Sequence, residues 1–360
     1  MPNGHYQLKS IIWLSPGNPE RRTGGFIYNR RLISALSVLN INVDLRILEA
    51  QWPWPEVQDL APLSQIPQGS IVIADSLIWP GLDAQARTQL CTHTEVWVLV
   101  HSLIDEESPE ESRQEAHARV LSALSEAHGW IATSERTADQ LHDLFPDRIR
   151  CPVIIPATEM NEAQVHQRQV HQKTRNNQNQ KTWQLINVAQ VNPRKDQLSL
   201  LHALKDLQHL HWTLSFIGEC DHESVYVQQL KTLIESHGMF DRIQWCGSLD
   251  EPELLHKYTT ADLLIHTARS EAYGMVLSEA LSMGLAVVST PAGAIDSLNS
   301  PLLARIPVNS PQLVKSTLES ILTGQHPLKG TPLLFPTWQD QAKLFIQLIL
   351  STNDTVSTHE

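Results

Sequence analysis

Ser270–Thr290, SEAYGMVLSEALSMGLAVVST, carries two carboxylates, Glu271 and Glu279, with seven residues between them and Gly274 inside the interval. An apolar run ending Ala286-Val287-Val288 follows. The spacing predicts a helix over 274–283 that leads into a strand over 286–289. A carboxylate at the loop-to-helix junction and a second about two turns further on can serve a long polar ligand, because eight helical residues rise roughly 12 Å. Gly274 lets backbone approach such a ligand where a Cβ would hold it off. The plainer alternative is an amphipathic helix whose glutamates only meet water.

Outward from this stretch, short apolar runs alternate with longer segments of helical period, the pattern of parallel α/β units. Strands are expected over 10–14, 43–48, 71–74, 96–100, 130–133 and 150–155, with helices over 25–39, 109–127 and 135–145. A polar tract over 161–181, rich in Gln, Asn and His, cannot bury a core and reads as a linker or disordered loop. The pattern then restarts with strands over 184–189, 213–217, 243–246, 263–266, 286–289 and 303–306. Helices are expected over 195–207, 224–237, 252–258, 274–283 and 310–322, and a last one near 339–350.

The chain thus divides into an N-terminal Rossmann-like domain over 1–158, a polar linker over 159–182 and a C-terminal Rossmann-like domain over 183–336. A closing helix over 337–351 and a frayed tail over 352–360 follow. A length of 360 residues suits two such domains. Open parallel sheets bind ligands outside the carboxyl ends of their strands, so two doubly wound sheets are expected to face a cleft that a hinge can close.

Composition narrows the function classes. A formal net charge of −12 argues against nucleic acid, which needs a basic face, and gives no support for docking on an anionic membrane. No apolar run reaches the ~18 residues of a transmembrane segment. The opening MPNGHYQLKS lacks the apolar core of a secretory signal. Cys91, Cys151, Cys220 and Cys246 form no CxxC pair and suggest neither zinc nor a disulfide framework, which fits a reducing cytoplasm. The acidic group Asp105, Glu106, Glu107, Glu110 and Glu111 reads as favouring a helix N-terminus rather than as a metal site. His166 and His171 belong to the flexible tract, so no metal is expected. Arg21, Arg22, Arg30 and Arg31 read equally as a solvated helix flank or a ligand contact.

Several loops carry chemistry. Asn192-Pro193-Arg194-Lys195-Asp196 follows a predicted strand and opens a helix, so backbone N–H groups, the helix dipole and two cationic side chains favour a diphosphate there. Pro193 pre-sets the helix entry. Thr23-Gly24-Gly25 follows the first strand, and its tandem glycines let backbone approach a phosphate or acceptor; the spacing is not the G-x-G-x-x-G of dinucleotide binders. His101 ends a strand and so stands where ligands bind, or else is only a satisfied polar group. No D-x-D triplet occurs, and positive groups at the diphosphate loop remove the need for a metal there.

These features resemble the retaining family 4 glycosyltransferases, which have the GT-B fold, and the resemblance extends over most of the chain. It rests on the E-x7-E spacing of Glu271 and Glu279, on Pro193-Arg194-Lys195, on Thr23-Gly24-Gly25 and on Val100-His101-Ser102. It implies transfer of a sugar from a nucleotide-diphospho-sugar to an acceptor hydroxyl with retained configuration, without a cofactor. The acceptor would be a glycan, a lipid-linked sugar or a small molecule. By the same resemblance Glu271 holds the hydroxyls of the transferred sugar, approached also by the amides of Gly274 and Met275. Glu279 anchors the ribose, Arg194 and Lys195 stabilise the departing diphosphate, and His101 lies near the sugar. Gly24 and Gly25 line the region between donor phosphates and acceptor, Gly218 lies under the diphosphate, and Gly247 belongs to the base-binding turn. The last helix would cross back to the N-terminal domain.

The chain departs from the family pattern at Gln190, where many members have arginine, and at Pro156-Ala157-Thr158, where Pro-Gly is common. Those departures support a second reading, a non-catalytic relative that binds a sugar nucleotide as a partner subunit. A third is another GT-B enzyme, an epimerase or phosphorylase.

Overall fold

The structure, a computed structural model, describes residues 10–56, 60–103, 113–159, 162–176, 182–293, 295–296 and 298–351. The chain forms two compact units, Met1–Pro156 with Thr337–Glu360, and Ala157–Pro336.

The first unit is built on five parallel strands, β1 (Ile11–Pro16), β2 (Val43–Leu48), β3 (Ile71–Asp75), β4 (Glu95–Val100) and β5 (Gly129–Ala132), in the order β2-β1-β3-β4-β5. The apolar runs of β1 and β3 are buried along their whole length, as strands covered on both faces must be. Edge strand β2 is half-buried. Strand order reverses between β1 and β3, and β2 and β3 each pair with β1 from Ile11, which stands opposite Val43 and Ile71. Helix α1 (Gly24–Val38) returns from β1 and buries Phe26, Tyr28, Asn29 and Leu32. Helices α2 (Ala84–His93), α3 (Arg113–Glu126) and α4 (Glu135–Leu144) complete the layers.

Two expectations fail here. Residues 150–155 form no sixth strand; a single bridge joins Ala132 to Val153. Pro152 and Pro156 each lack the N–H that a ladder needs, so pairing stops after one bridge. Helix α2 was not expected, because its sequence AQARTQLCTH buries only Ala86, Arg87 and Leu90 and shows little periodicity. Its start is nonetheless a capped one, with Asp83 Oδ1 accepting from Ala86 N at 2.7 Å. The acidic group at 105–111 lies outside the described residues.

The second unit opens with α5 (Glu162–Asn176), which corrects the reading of residues 159–182 as a loop-like linker. Arg168 is the reason. It is buried, and its Nη1 donates to the carbonyls of Tyr258 (2.7 Å), Thr259 (3.2 Å) and Ala261 (2.6 Å). Those residues end helix α8 (Glu251–Thr260), against which α5 packs. A composition too polar for a core of its own is fastened by one long cationic side chain at a helix C-terminus.

The sheet of this unit has six parallel strands, β6 (Trp183–Val188), β7 (Trp212–Ile217), β8 (Ile243–Trp245), β9 (Leu263–His266), β10 (Ala286–Ser289) and β11 (Leu303–Arg305). Their order is β11-β10-β9-β6-β7-β8, the doubly wound arrangement whose reversal lies between β6 and β9. Helices α6 (Gln197–Leu204), α7 (Val225–Ser236), α9 (Met275–Ser282) and α10 (Pro311–Leu322) flank it. The expected helix over 195–207 is interrupted. A 3-10 turn over Pro193–Lys195 ends at Asp196, which takes a left-handed conformation (φ 49°) before α6 begins.

The chain then returns to the first unit as α11 (Trp338–Ser351). Thr337 and Asp340 cap its start reciprocally, each side chain accepting from the other residue's N–H at 3.2 Å. Trp338, Ala342, Phe345 and Ile349 form its buried stripe. Phe345 lies 6.0 Å from the Trp13 ring, and Trp338 meets the Tyr28 ring edge-on at 5.3 Å. Each large side chain so buried contributes roughly 1.5–3 kcal/mol. Among the described residues no helix is long and apolar enough to cross a membrane, and all four cysteines are free thiols.

Candidate active site

In the second unit the loops after β6 and β9 meet at the point where strand order reverses. Asn192 Oδ1 accepts from Lys195 N at 3.1 Å and so shapes the turn after β6. Thr267, just beyond β9, donates its hydroxyl to the carbonyls of Lys195 (3.2 Å) and Asp196 (2.9 Å). Arg269 N donates to Arg194 O at 2.8 Å. These bonds stitch the two loops together and bring Lys195 to Glu271. Lys195 Nζ donates to Glu271 Oε2 in a close ion pair, with the two side chains 11% and 16% exposed. His266 Nε2 lies 3.2 Å from the same oxygen.

The electrostatics follow from this contact. Burial alone would raise the Glu271 carboxyl; the Lys195 ammonium, helped by His266, overrides it and holds the carboxyl well below the usual carboxylate range. Burial pushes His266 down, against the pull of Glu271, with Lys195 and Arg194 adding to the drop. A neutral imidazole donating Nε2–H to the carboxylate fits both effects. Its Nδ1 is then a buried acceptor with no hydrogen-bond partner among the described residues.

Glu279 stands apart from that cluster. It is the fifth residue of α9, and Glu271 precedes the helix altogether. The expectation of two helical turns between the carboxylates is therefore corrected: Ser270 to Gly274 is loop, because Gly274 at φ 79° is the non-helical cap. A Cβ on Gly274 would lie 2.9 Å from Leu277 Cδ1 and 3.2 Å from Glu271 Cγ, so this position needs glycine twice over. Met275 is half-buried at the first position of α9. Glu279 Oε2 accepts from Tyr258 Oη at 2.7 Å. Burial, and then the charge of Glu279, push the Tyr258 hydroxyl well above its usual range, so it remains a donor at any working pH.

Gly218 and Gly247 adjoin each other at the carboxyl ends of β7 and β8, Gly218 N donating to Gly247 O at 2.8 Å. Both have positive φ, 142° and 65°. They differ in surroundings. A Cβ on Gly218 would sit 2.2 Å from Ala189 O, whereas one on Gly247 meets nothing within 4 Å. Gly218→Ala is therefore expected to destabilise the chain by about 3 kcal/mol, and Gly247→Ala by about 1 kcal/mol. Urea unfolding of the two variants checks the difference; equal midpoints would contradict it.

Gln190 is exposed; its Nε2 donates to Glu219 Oε2 at 3.4 Å and its Oε1 accepts from Asn192 Nδ2 at 3.1 Å. It brings no charge to the loop. Arg194 is half-buried, close enough to His266 to act on it electrostatically.

In the first unit, Gly24 and Gly25 open α1, and His101 follows β4. A Cβ on Gly25 would lie 3.3 Å from His101 Cδ2, while Gly24 faces open space. His101 Nε2 lies 3.0 Å from Asn29 Oδ1 and 3.5 Å from Asp75 Oδ2.

Four polar residues at these places, His266, Tyr258, Asp75 and Asn29, were not read from sequence. His266 and Asp75 had a signal: each closes an otherwise apolar strand, LLIH and IVIAD, at the carboxyl end where ligands bind. Tyr258 and Asn29 lie within helices and had none.

Residues 169–329 match the family model described as glycosyl transferases group 1. A segment of 136 residues is 25% identical to the phosphatidylinositol N-acetylglucosaminyltransferase GPI3 subunit of Saccharomyces cerevisiae, covering 36% of this chain and 30% of that protein. The chain thus spans under a third of the length of that curated relative. Among solved structures, a sucrose-phosphate synthase from Thermosynechococcus elongatus superposes with a TM-score of 0.75 at 17% identity, covering 96% of this chain and 100% of that one. Anabaena HepE in complex with UDP and glucose superposes at 0.63 with 15% identity, over 97% and 98% of the two chains. The protein has the GT-B fold of two Rossmann-like domains. The segment similar to the glycosyl transferases group 1, residues 169–329, lies within the second unit.

Proposed function

We propose that the chain is a retaining glycosyltransferase that moves a hexosyl group from a nucleotide-diphospho-sugar to an acceptor hydroxyl, without a metal or other cofactor. The observation that carries this reading is the Lys195–Glu271–His266 cluster at the strand-order reversal of the second unit. Such a point is where a doubly wound sheet takes a nucleotide. Lys195 and Arg194 supply fixed positive charge for the diphosphate, the group on which negative charge builds as the bond breaks. Glu271 accepts from hydroxyls of the transferred sugar, with the amides of Gly274 and Met275 beside it. Glu279, oriented by Tyr258, accepts from the ribose. Gly218 and Gly247 let backbone approach the diphosphate and the base.

In the step itself the bond from the anomeric carbon to the phosphate oxygen breaks as the acceptor oxygen bonds the same face. The acceptor proton passes to the leaving phosphate. The relatives act in glycolipid and sugar-phosphate chemistry by their names, so a glycan or glycoconjugate acceptor is proposed. The free thiols favour a cytoplasmic setting. The neutral side chain of Gln190 and the junction Pro156-Ala157-Thr158 favour a non-catalytic, nucleotide-binding partner subunit instead.

A thermal-shift panel with UDP, GDP, ADP and dTDP on wild type and Glu279→Ala tests the reading. One nucleotide should raise the melting temperature of the wild type and fail to raise that of the variant. UDP is the first choice, since HepE was solved with it. No shift at millimolar concentration with any of the four would sink the proposal, and binding without turnover would favour the partner subunit.

A further inference from the structure

Asp75 closes β3 at the strand-order reversal of the first unit, with a side chain only 3% exposed. A carboxylate buried so deeply needs partners. Leu77 N donates to its Oδ1 at 2.8 Å and Asn29 Nδ2 to its Oδ2 at 2.9 Å. Burial works against the charge, yet His101 and these two donors hold the carboxyl below its usual range.

The arrangement fixes a proton. Because the Asn29 amide nitrogen is committed to Asp75, its oxygen is the atom 3.0 Å from His101 Nε2. Asp75 Oδ2 lies 3.5 Å from the same nitrogen. Among the described residues Nε2 faces two acceptors and no donor, so it carries the hydrogen. The ring has little freedom to turn: Gly25 packs against its Cδ2 edge, and Tyr28 meets it at 5.2 Å. The His101 backbone N–H donates to Ser76 Oγ at 3.4 Å. Nδ1 makes no hydrogen bond among the described residues.

We propose that Asp75 and Asn29 are positioning residues that lock His101 as the Nε2–H tautomer, so that Nδ1 accepts a hydrogen bond from a sugar hydroxyl. The tautomer is a property of the first unit alone; the sugar hydroxyl rests on the transferase reading. A buried carboxylate behind an imidazole also stabilises any positive charge the ring gains from that hydroxyl. This assigns a task to a charge that the second unit's site does not use, and it gives Gly25 a reason to lack a Cβ beside the ring.

The test uses the full chain labelled with 15N-histidine. Long-range 1H–15N spectra above the usual histidine titration range report each tautomer, and His101→Gln identifies the His101 signals. Wild type should show Nε2–H, and Asp75→Asn should move most of the population to Nδ1–H. Retention of Nε2–H in Asp75→Asn overturns the proposal. Should that variant fail to fold, Asn29→Ala carries the same test by removing the carbonyl that faces the proton.

Turnover is read as release of nucleoside diphosphate from whichever nucleotide sugar binds, with water as acceptor. Asp75→Asn should slow it about ten-fold or more, and Asp75→Asn/His101→Gln should be no slower than His101→Gln alone. Additive losses overturn the coupling. If His101→Gln weakens binding of the nucleotide sugar but not of the nucleotide, the hydroxyl is the donor's. Unchanged binding with slower turnover makes it the acceptor's, and no change in either overturns the ligand role. Failure of any nucleotide sugar to bind wild type refutes the transferase reading and leaves the tautomer result to stand or fall alone.

Discussion

Lys195→Met is expected to abolish stabilisation by nucleotide and to slow transfer about 100- to 1,000-fold, the range for removing one pre-organised donor from a developing anion. The variant also leaves Glu271 with His266 as its sole hydrogen-bonding partner in the cluster, in a place where the side chain is 16% exposed. Stripping the partner from a largely buried carboxylate costs about 2 kcal/mol.

The pH dependence separates this from simple loss of packing. In the wild type the folded carboxyl lies below its unfolded value. Its contribution to stability is therefore complete above the unfolded value of about 4.3 and is lost as pH falls further. Without Lys195, burial becomes the dominant influence and the carboxyl moves up. The sign reverses: protonation on acidification now favours the folded variant. Melting curves of both proteins, from neutral pH down toward the carboxylate range, should show the gap between them narrowing. A gap that stays constant would mean that the charge pair is not what the variant lost.

Arg168→Met should bring the second largest change, this time in stability. The methionine keeps much of the apolar stem but removes the donor to the carbonyls of Tyr258, Thr259 and Ala261. Burial draws the guanidinium down to about 10, against the pull of Asp262, so it is still charged at neutral pH. Charged donors contribute about 1.5–3 kcal/mol per bond, and several bonds from one nitrogen do not add in full. A loss of about 3 kcal/mol follows, a fall of about 6–12 °C in the melting temperature of a unit this size. Hydrogen exchange locates it: α8 should lose protection and β1, β3 and β4 should not. Because Tyr258 near the end of α8 holds Glu279, nucleotide affinity should weaken as well. A melting temperature within a degree or two of wild type would rule out the clamp.

How much of this was legible in sequence varies with the physical origin of each feature. The strands of the two sheets that follow apolar runs, such as IVIAD and LLIH, could be found from burial alone. The strand expected over 150–155 could not be rejected, since Cys151 and Ile154 are buried; what fails is the ladder, where prolines withhold N–H groups. Helix α5 was invisible because nothing in EAQVHQRQVHQKTRN shows that one arginine among many polar residues will be enclosed by another helix. The approach of Lys195 to Glu271, 76 residues apart, follows from strand order rather than from local pattern. Glycines at 218, 247 and 274 stood out by residue type, but only the backbone shows that 218 is crowded and 247 open.

The return of α11 to the first unit has a consequence for how the protein is made. Residues Ala157–Pro336 are continuous, so a ribosome delivers every part of that unit before Thr337 and the helix after it emerge. The first unit, although synthesised earlier, has to wait. Until Trp338 and Phe345 arrive, Tyr28 and Trp13 lack the ring contacts that α11 brings, and the oldest part of the chain stays the longest exposed to misassociation. The nascent polypeptide is finished from the middle outward, and its vulnerable interval is set by the time needed to translate the inserted unit.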